Sequence, residues 1–175
     1  GACVRDVVRS RGLGDWDKRL VQGWEQWKDG LSSRLNGMFA CASWDGRQRG
    51  LAIARDRYGI KPLYVAELPG KGLVFGSEVR ALYASGLIDK QFDASATLEY
   101  FTLMNNWGGR TPFRGVRLLK PGTFERFAAS GSSSGTYWSP SYHRKYSPGL
   151  ARASGEFGEI LQSALRRQLA ADVPV

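Results

Sequence analysis

The chain contains no long uninterrupted apolar run, which excludes a transmembrane helix of about 20 residues. Its first residues, G-A-C-V-R-D-V-V-R-S-R-G, hold no apolar stretch of the length a secretory leader needs. Cysteine is scarce: Cys3 and Cys41 are the only two, with no C-x-x-C pair. That excludes a disulfide framework and fits a reducing, cytoplasmic setting. One histidine, His143, lies in a polar stretch, so no zinc site and no other metal site built from protein ligands is expected. Acidic residues are outnumbered, 16 against 25 Lys and Arg, for a net charge of +9. A basic balance can serve nucleic acid or an anionic surface. Here the cations are spread along the chain without a dense run and without a nucleic-acid-reading motif, so neither nucleic acid nor a membrane is expected as a partner.

The content is otherwise that of a globular domain. A 42% hydrophobic fraction over 175 residues can fill one core. Apolar residues Cys3, Val4, Val7 and Val8 fall at helical spacing before Gly12. Trp16, Leu20, Val21, Trp24 and Trp27 mark one face of a helix to about Lys28, with Asp15 where an N-cap would sit. Leu31 to Leu35 continues helically, and Asn36-Gly37 is a turn signal. Met38 to Trp44 is apolar on both faces and reads as a central strand covered on both sides. Strands are expected at Leu51 to Ala54, Leu63 to Ala66, Leu73 to Gly76 and Thr123 to Phe127. Ser77 and Asp93 are expected caps of two helices, the second with Leu98 and Phe101 inward. Ser130 to Gly135 reads as a flexible, low-complexity loop tip, followed by a short strand at Thr136-Tyr137-Trp138. Beyond a linker at 141–150, Phe157, Ile160, Leu161, Ala164, Leu165 and Leu169 give an amphipathic helix with Ser154 as its cap. A strand meander with helices before and after it is α+β.

The most specific stretch is Ala54 to Tyr64, A-R-D-R-Y-G-I-K-P-L-Y, a charged turn between two strand-like runs. Gly59 can take a backbone conformation closed to other residues, and Pro62 fixes its own φ. Arg55, Asp56, Arg57 and Lys61 could form an anion site. The favoured reading is an internal arginine–carboxylate network with Glu78 as a partner. Arg47, Arg49 and Lys71 are read as solvated.

These residues resemble the glutamine-dependent asparagine synthase family. Leu35-Asn36-Gly37-Met38-Phe39-Ala40 with Trp44-Asp45 is similar to L-N-G-M-F-A-F-A-x-W-D. Ala54 to Tyr64 resembles A-R-D-R-x-G-I-K-P-L-Y. Phe75 to Leu82 resembles F-x-S-E-x-K-A-L. Arg110 to Gly122 resembles R-T-L-F-x-G-V-x-x-L-x-P-G, and Tyr137-Trp138 its Y-W. Arg166 to Val175 resembles R-R-L-x-S-D-V-P-V.

The resemblance implies a class II glutamine amidotransferase domain over 1–140, a linker over 141–150, and over 151–175 the first helix of an ATP-dependent α/β synthase domain. The implied fold is an N-terminal-nucleophile hydrolase, a four-layer αββα sandwich of antiparallel sheets. The implied reaction turns ATP, aspartate and glutamine into asparagine, glutamate, AMP and pyrophosphate, with ATP and Mg expected in the full-length family member and none in this chain. Implied partners are those small molecules, the synthase domain and a second copy as homodimer. The family's initial C-G-I, its substrate arginine, its N-G-E turn and its S-G-G-x-D-S nucleotide loop have no counterpart here. The chain is therefore expected to be a fragment, truncated at both ends and inactive alone. Cys3 is followed by Val4 rather than glycine and reads as a packed core residue, so no catalytic residue is assigned. Asp15, followed by Asp17, corresponds after a one-residue shift to the aspartate that holds the α-ammonium of glutamine. A gapless match puts Trp16 there, and an N-cap carboxylate is the other reading of Asp15. The alternative function is an amidotransferase-like domain, structural only, of a relative making another amide bond, of β-lactam synthetase or lasso-peptide cyclase type.

Overall fold

The computed structural model describes residues 22–27, 30–70, 72–143 and 145–169. The chain divides into two compact units, Gly1–Ser139 and Pro140–Val175.

The first unit is built on antiparallel hairpins. Strand β1 (Ala40–Asp45) turns through residues 46–49 into β2 (Gly50–Arg55). The turn closes because the Asp45 carboxylate accepts from the Arg47 and Gln48 amides. Next come β3 (Tyr64–Leu68) and β4 (Gly72–Gly76). After two helices, β5 (Arg117–Leu118), β6 (Thr123–Ala128) and β7 (Gly131–Thr136) follow. They form a four-stranded sheet, β1-β2-β6-β7, and a three-stranded one, β4-β3-β5. Ile53 of the first sheet packs on Leu63, Val65 and Leu119 of the second layer, with Ala40, Ala42 and Phe127 closing around them. The outer face of the smaller sheet takes helix α3 (Val79–Ala84), where Leu82 meets Ala66 and Val116. Mixed helix and antiparallel sheet makes this an α+β unit.

Among the described residues the other helices of this unit are α1 (residues 22–27), α2 (Leu31–Arg34) and α4 (Ala94–Leu103). Asp93 caps α4 as expected, its carboxylate accepting from the Ala96 amide at 3.0 Å.

Several expectations fail, each for a tertiary reason. Among the described residues β1 lies at the edge of its sheet, and β2 is the covered inner strand. Both strands are apolar, and only the pairing order separates them. Ser130 to Gly135 is not a loop tip. A two-residue turn returns the chain along β6, and the stretch pairs over the full ladder from Ala128↔Gly131 to Thr123↔Thr136. Its backbone donors and acceptors find the edge of β6, which outweighs the poor strand propensity of serine and glycine. Leu98 and Phe101 face outward at 68% and 73% exposure; Ala96, at 0%, is the buried residue of α4. Ser77 does not cap α3: the N-cap position is Glu78, without a side-chain cap bond.

In the second unit, helix α5 spans Leu150–Gln168. Its N-cap is Gly149, at φ 83°, so the expected cap Ser154 lies inside the helix. Arg152 pairs with Glu156 one turn on, a spacing that brings side chains together on one helix face. The apolar row Phe157, Ile160, Leu161, Leu165 and Leu169 is exposed. No helix among the described residues is long and apolar enough to cross a membrane.

Candidate functional site

The corner between β2 and β3, residues 55–63, joins the two sheets. Arg55 and Asp56 are 6% and 1% exposed, although the turn contains four charged residues. They do not bond each other's charges. Arg55 Nε donates to Lys61 O at 2.8 Å, Nη1 to Leu119 O at 2.7 Å, and Nη2 to Gly59 O. The Asp56 carboxylate accepts four amides: Tyr58 and Ile60 on Oδ1, at 3.1 and 3.0 Å, and Lys61 and Phe39 on Oδ2, at 2.9 and 3.3 Å. The arginine collects carbonyls and the aspartate collects amides, so this sharp turn leaves few backbone groups unpaired. Burial pulls the Arg55 pKa down, and the neighbouring Asp56 charge opposes that shift. Glu78 pairs with Arg80 on the surface, so the expected arginine–carboxylate network with Glu78 is corrected.

Gly59 sits at φ 65°, and an added Cβ would stand 2.8 Å from Pro121 Cγ and 2.9 Å from Arg55 Cζ. Only glycine fits both the conformation and the space. The main chain of Asp56 extends the clamp: its N–H donates to Phe39 O at 2.9 Å, and its C=O accepts from Gly122 at 2.9 Å. Tyr137 donates its phenol to Arg55 O at 2.6 Å and stacks on Phe39, ring centroids 6.5 Å apart. Four distant stretches of sequence, around Phe39, Asp56, Gly122 and Tyr137, therefore meet at one point. Burial, and next the Asp56 charge, push the Tyr137 phenol up to about 12. Outside the clamp the turn shows Tyr58 and Ile60 to solvent, and Tyr58 rests on Trp138 at 4.9 Å.

A second feature has no local signal in the sequence. A cavity of about 680 Å³ opens between β5, β6 and β7. On its wall Arg117 makes a bidentate pair with Glu125, both contacts 2.7 Å, and reaches Glu67 at 2.9 Å. Burial works against the Arg117 charge, but the hydrogen bonds to Glu125 and Glu67 outweigh it and raise its pKa. Glu67 and Arg117 belong to one sheet and Glu125 to the other, so the trio bridges the layers. Their separation along the chain hides them from any motif search.

Asp15 and Cys3, the residues weighed for glutamine binding and for nucleophilic attack, lie outside the described residues. Cys41 is a free thiol, and burial pushes it up to about 11, which makes it a poor nucleophile. Among the described residues no group of three or more His, Cys, Asp and Glu could hold a metal ion. The corner can therefore order backbone and join layers, and the cavity can receive a polar ligand or chain segment.

Comparison with known proteins places these features. A family model described as a glutamine amidotransferase domain matches residues 11–138. The chain is 31% identical over 160 residues to the glutamine-hydrolysing asparagine synthetase 3 of Bacillus subtilis, covering 89% of this chain and 25% of that protein. It is 33% identical over 160 residues to the amidase chyE of Penicillium rubens, covering 83% of this chain and 22% of that protein. It thus spans about a quarter of the length of the curated relatives it matches.

Proposed function

Because the chain belongs to the glutamine amidotransferase domain family, we propose that it is the amidotransferase part of a glutamine-hydrolysing asparagine synthetase. The observation that carries this reading is the family match across 11–138, which spans the whole corner from Phe39 to Tyr137. The parent reaction is the conversion of ATP, aspartate and glutamine to asparagine, glutamate, AMP and pyrophosphate. Asp15 binds the α-ammonium of glutamine, where a carboxylate offsets the positive charge. The corner is a structural joint that fixes the layers around the substrate, in a four-layer arrangement of the kind N-terminal-nucleophile hydrolases use. ATP and Mg act in the synthase domain, of which α5 is the first helix. The setting is cytoplasmic, and the 175-residue chain by itself does not turn over glutamine.

The test has two arms. The polypeptide purified from its native source is supplied with aspartate, glutamine and ATP. Asparagine and AMP should appear together; absence of asparagine with release of AMP on another acid would reject the acceptor. The isolated chain should release glutamate from glutamine no faster than its Cys3→Ala variant, and faster release would reject its inactivity. The similarity to an amidase supports a second reading, a relative that makes or breaks another amide bond and keeps this domain as scaffold. The first arm separates the two through the identity of the product.

A further inference from the structure

The first unit ends at Ser139, and residues 138–143 and 145–149 carry neither helix nor strand before α5 begins. The last residues of that unit are tied down. The Tyr137 and Trp138 amides both donate to Gly122 O, at 2.9 and 3.2 Å, and the Gly122 amide donates to Asp56 O at 2.9 Å. Gly122 stands at φ 66°, where an added Cβ would run into Trp138 O, so only glycine lets the departing chain come this close. Tyr58 meets the same stretch from the turn. Its amide donates to Asp56 Oδ1 at 3.1 Å, which fixes the backbone under the ring. The ring lies on Trp138 with centroids 4.9 Å apart and planes tilted by 57°, a geometry in which aromatic rings attract. Tyr58 is nevertheless 72% exposed, so it adds little to the core.

We propose that Tyr58 is a positioning residue, a latch that pins the root of the linker to the corner. This role rests on reading the chain as the amidotransferase part of an asparagine synthetase, in which ammonia released from glutamine has to be used before it escapes. Two reactions joined through one linker stay in step only if the linker leaves from a fixed place, because small misplacements cost rate steeply where reactants must be held. The clamp around Asp56 holds the turn, and Tyr58 carries that rigidity outward to Trp138, one residue short of the boundary. The contact is made by the ring, so phenylalanine can stand in for tyrosine and alanine cannot.

The experiment has two arms, with Tyr58→Ala and Tyr58→Phe in each. In the 175-residue chain, hydrogen exchange is followed by NMR at the Trp138 amide and along the β2–β6 ladder. Exchange at Trp138 should rise roughly fivefold in Tyr58→Ala, stay at the wild-type rate in Tyr58→Phe, and leave the ladder unchanged. In the parent polypeptide, supplied with ATP and aspartate, asparagine formed per glutamate released from glutamine should fall at least about twofold in Tyr58→Ala. The ratio should return in Tyr58→Phe, while asparagine made from added ammonium stays at the wild-type level in both. General damage to the protein would lower the ammonium-driven reaction too. Unchanged Trp138 exchange in Tyr58→Ala, a rise shared by the ladder, or an unchanged product ratio overturns the proposal. A wild type that makes no asparagine from either nitrogen source rejects the synthetase reading instead, and the exchange arm then decides the latch by itself.

Discussion

Asp56 shows how much one carboxylate can organise. Its two oxygens serve four amides from three turn residues and from Phe39, while its own main chain ties Phe39 and Gly122. Replacing it with alanine leaves those amides without an acceptor. An unmade buried hydrogen bond costs about 1–3 kcal/mol, and some of these donors can reach water once the turn loosens. Asp56→Ala should therefore lose about 3 kcal/mol in chemical denaturation, while Asp56→Asn, which keeps one acceptor oxygen, should lose less. A loss under about 1 kcal/mol in the alanine variant would show that the clamp is ornamental. The neighbouring Cys41 and Tyr137 set an alkaline limit. Both become anions on losing a proton, and burial raises both folded pKa values, from 9.0 to about 11 and from 10.0 to about 12. The folded chain then holds these protons more tightly than the unfolded one. Their stabilisation is fully present below pH 9, and it is lost as pH rises through 9–11 for Cys41 and 10–12 for Tyr137. Denaturation at pH 8 and pH 11 should differ by about 2 kcal/mol less in Cys41→Ala than in the wild type.

Among the elements, α4 is held by its ends rather than by its apolar face. Asp93 caps the first turn and bonds Ser95, and the Asp93 N–H donates to Pro112 O. Asn106 donates to Ala96 O from beyond the C-terminus, and Arg110 reaches Glu99 and Ser95. Leu98 and Phe101 point away, so the usual rule of apolar-face burial fails here. The Ala96 hydrogen bond is the main cause of the lowered Asp93 pKa, with Ser95 next. A carboxylate with a depressed folded pKa stabilises above its unfolded pKa and loses that contribution as pH falls through the folded one. Protection of the first-turn amides of α4, taken relative to an unstructured chain at the same pH, should therefore fall on acidification in the wild type. In Asp93→Ala it should already be low at neutral pH. Equal protection in both proteins at pH 7 would remove the cap from the account.

For the molecule as a whole the charge of +9 invites a nucleic-acid reading, yet many guanidinium groups are already engaged. Arg55 holds carbonyls, Arg117 two glutamates, Arg110 Glu99, and Arg152 Glu156. Non-specific binding needs several free cations facing one run of phosphates. Titration of a random duplex at about 0.15 M salt should stay flat up to about 10 µM protein. A saturable, salt-sensitive curve in that range would bring the basic-module reading back.

Some of this was legible in the chain itself. The two residues that no neighbour could replace, Gly59 and Asp56, sit in the stretch that stood out first, because steric limits on φ and the need to satisfy a tight turn act locally. The hairpin at Asp45, the cap at Asp93 and the family pattern around Ala54 to Tyr64 are local in the same sense. Contacts across the sheets are not. Which of two apolar strands lies inside, whether G-S-S-S-G-T is loop or strand, and whether Arg117 finds Glu67 and Glu125 all depend on what stands opposite once the sheets pair. Backbone hydrogen bonding and charge pairing are satisfied by whichever groups the fold brings within about 3 Å, and only the tertiary structure decides which those are.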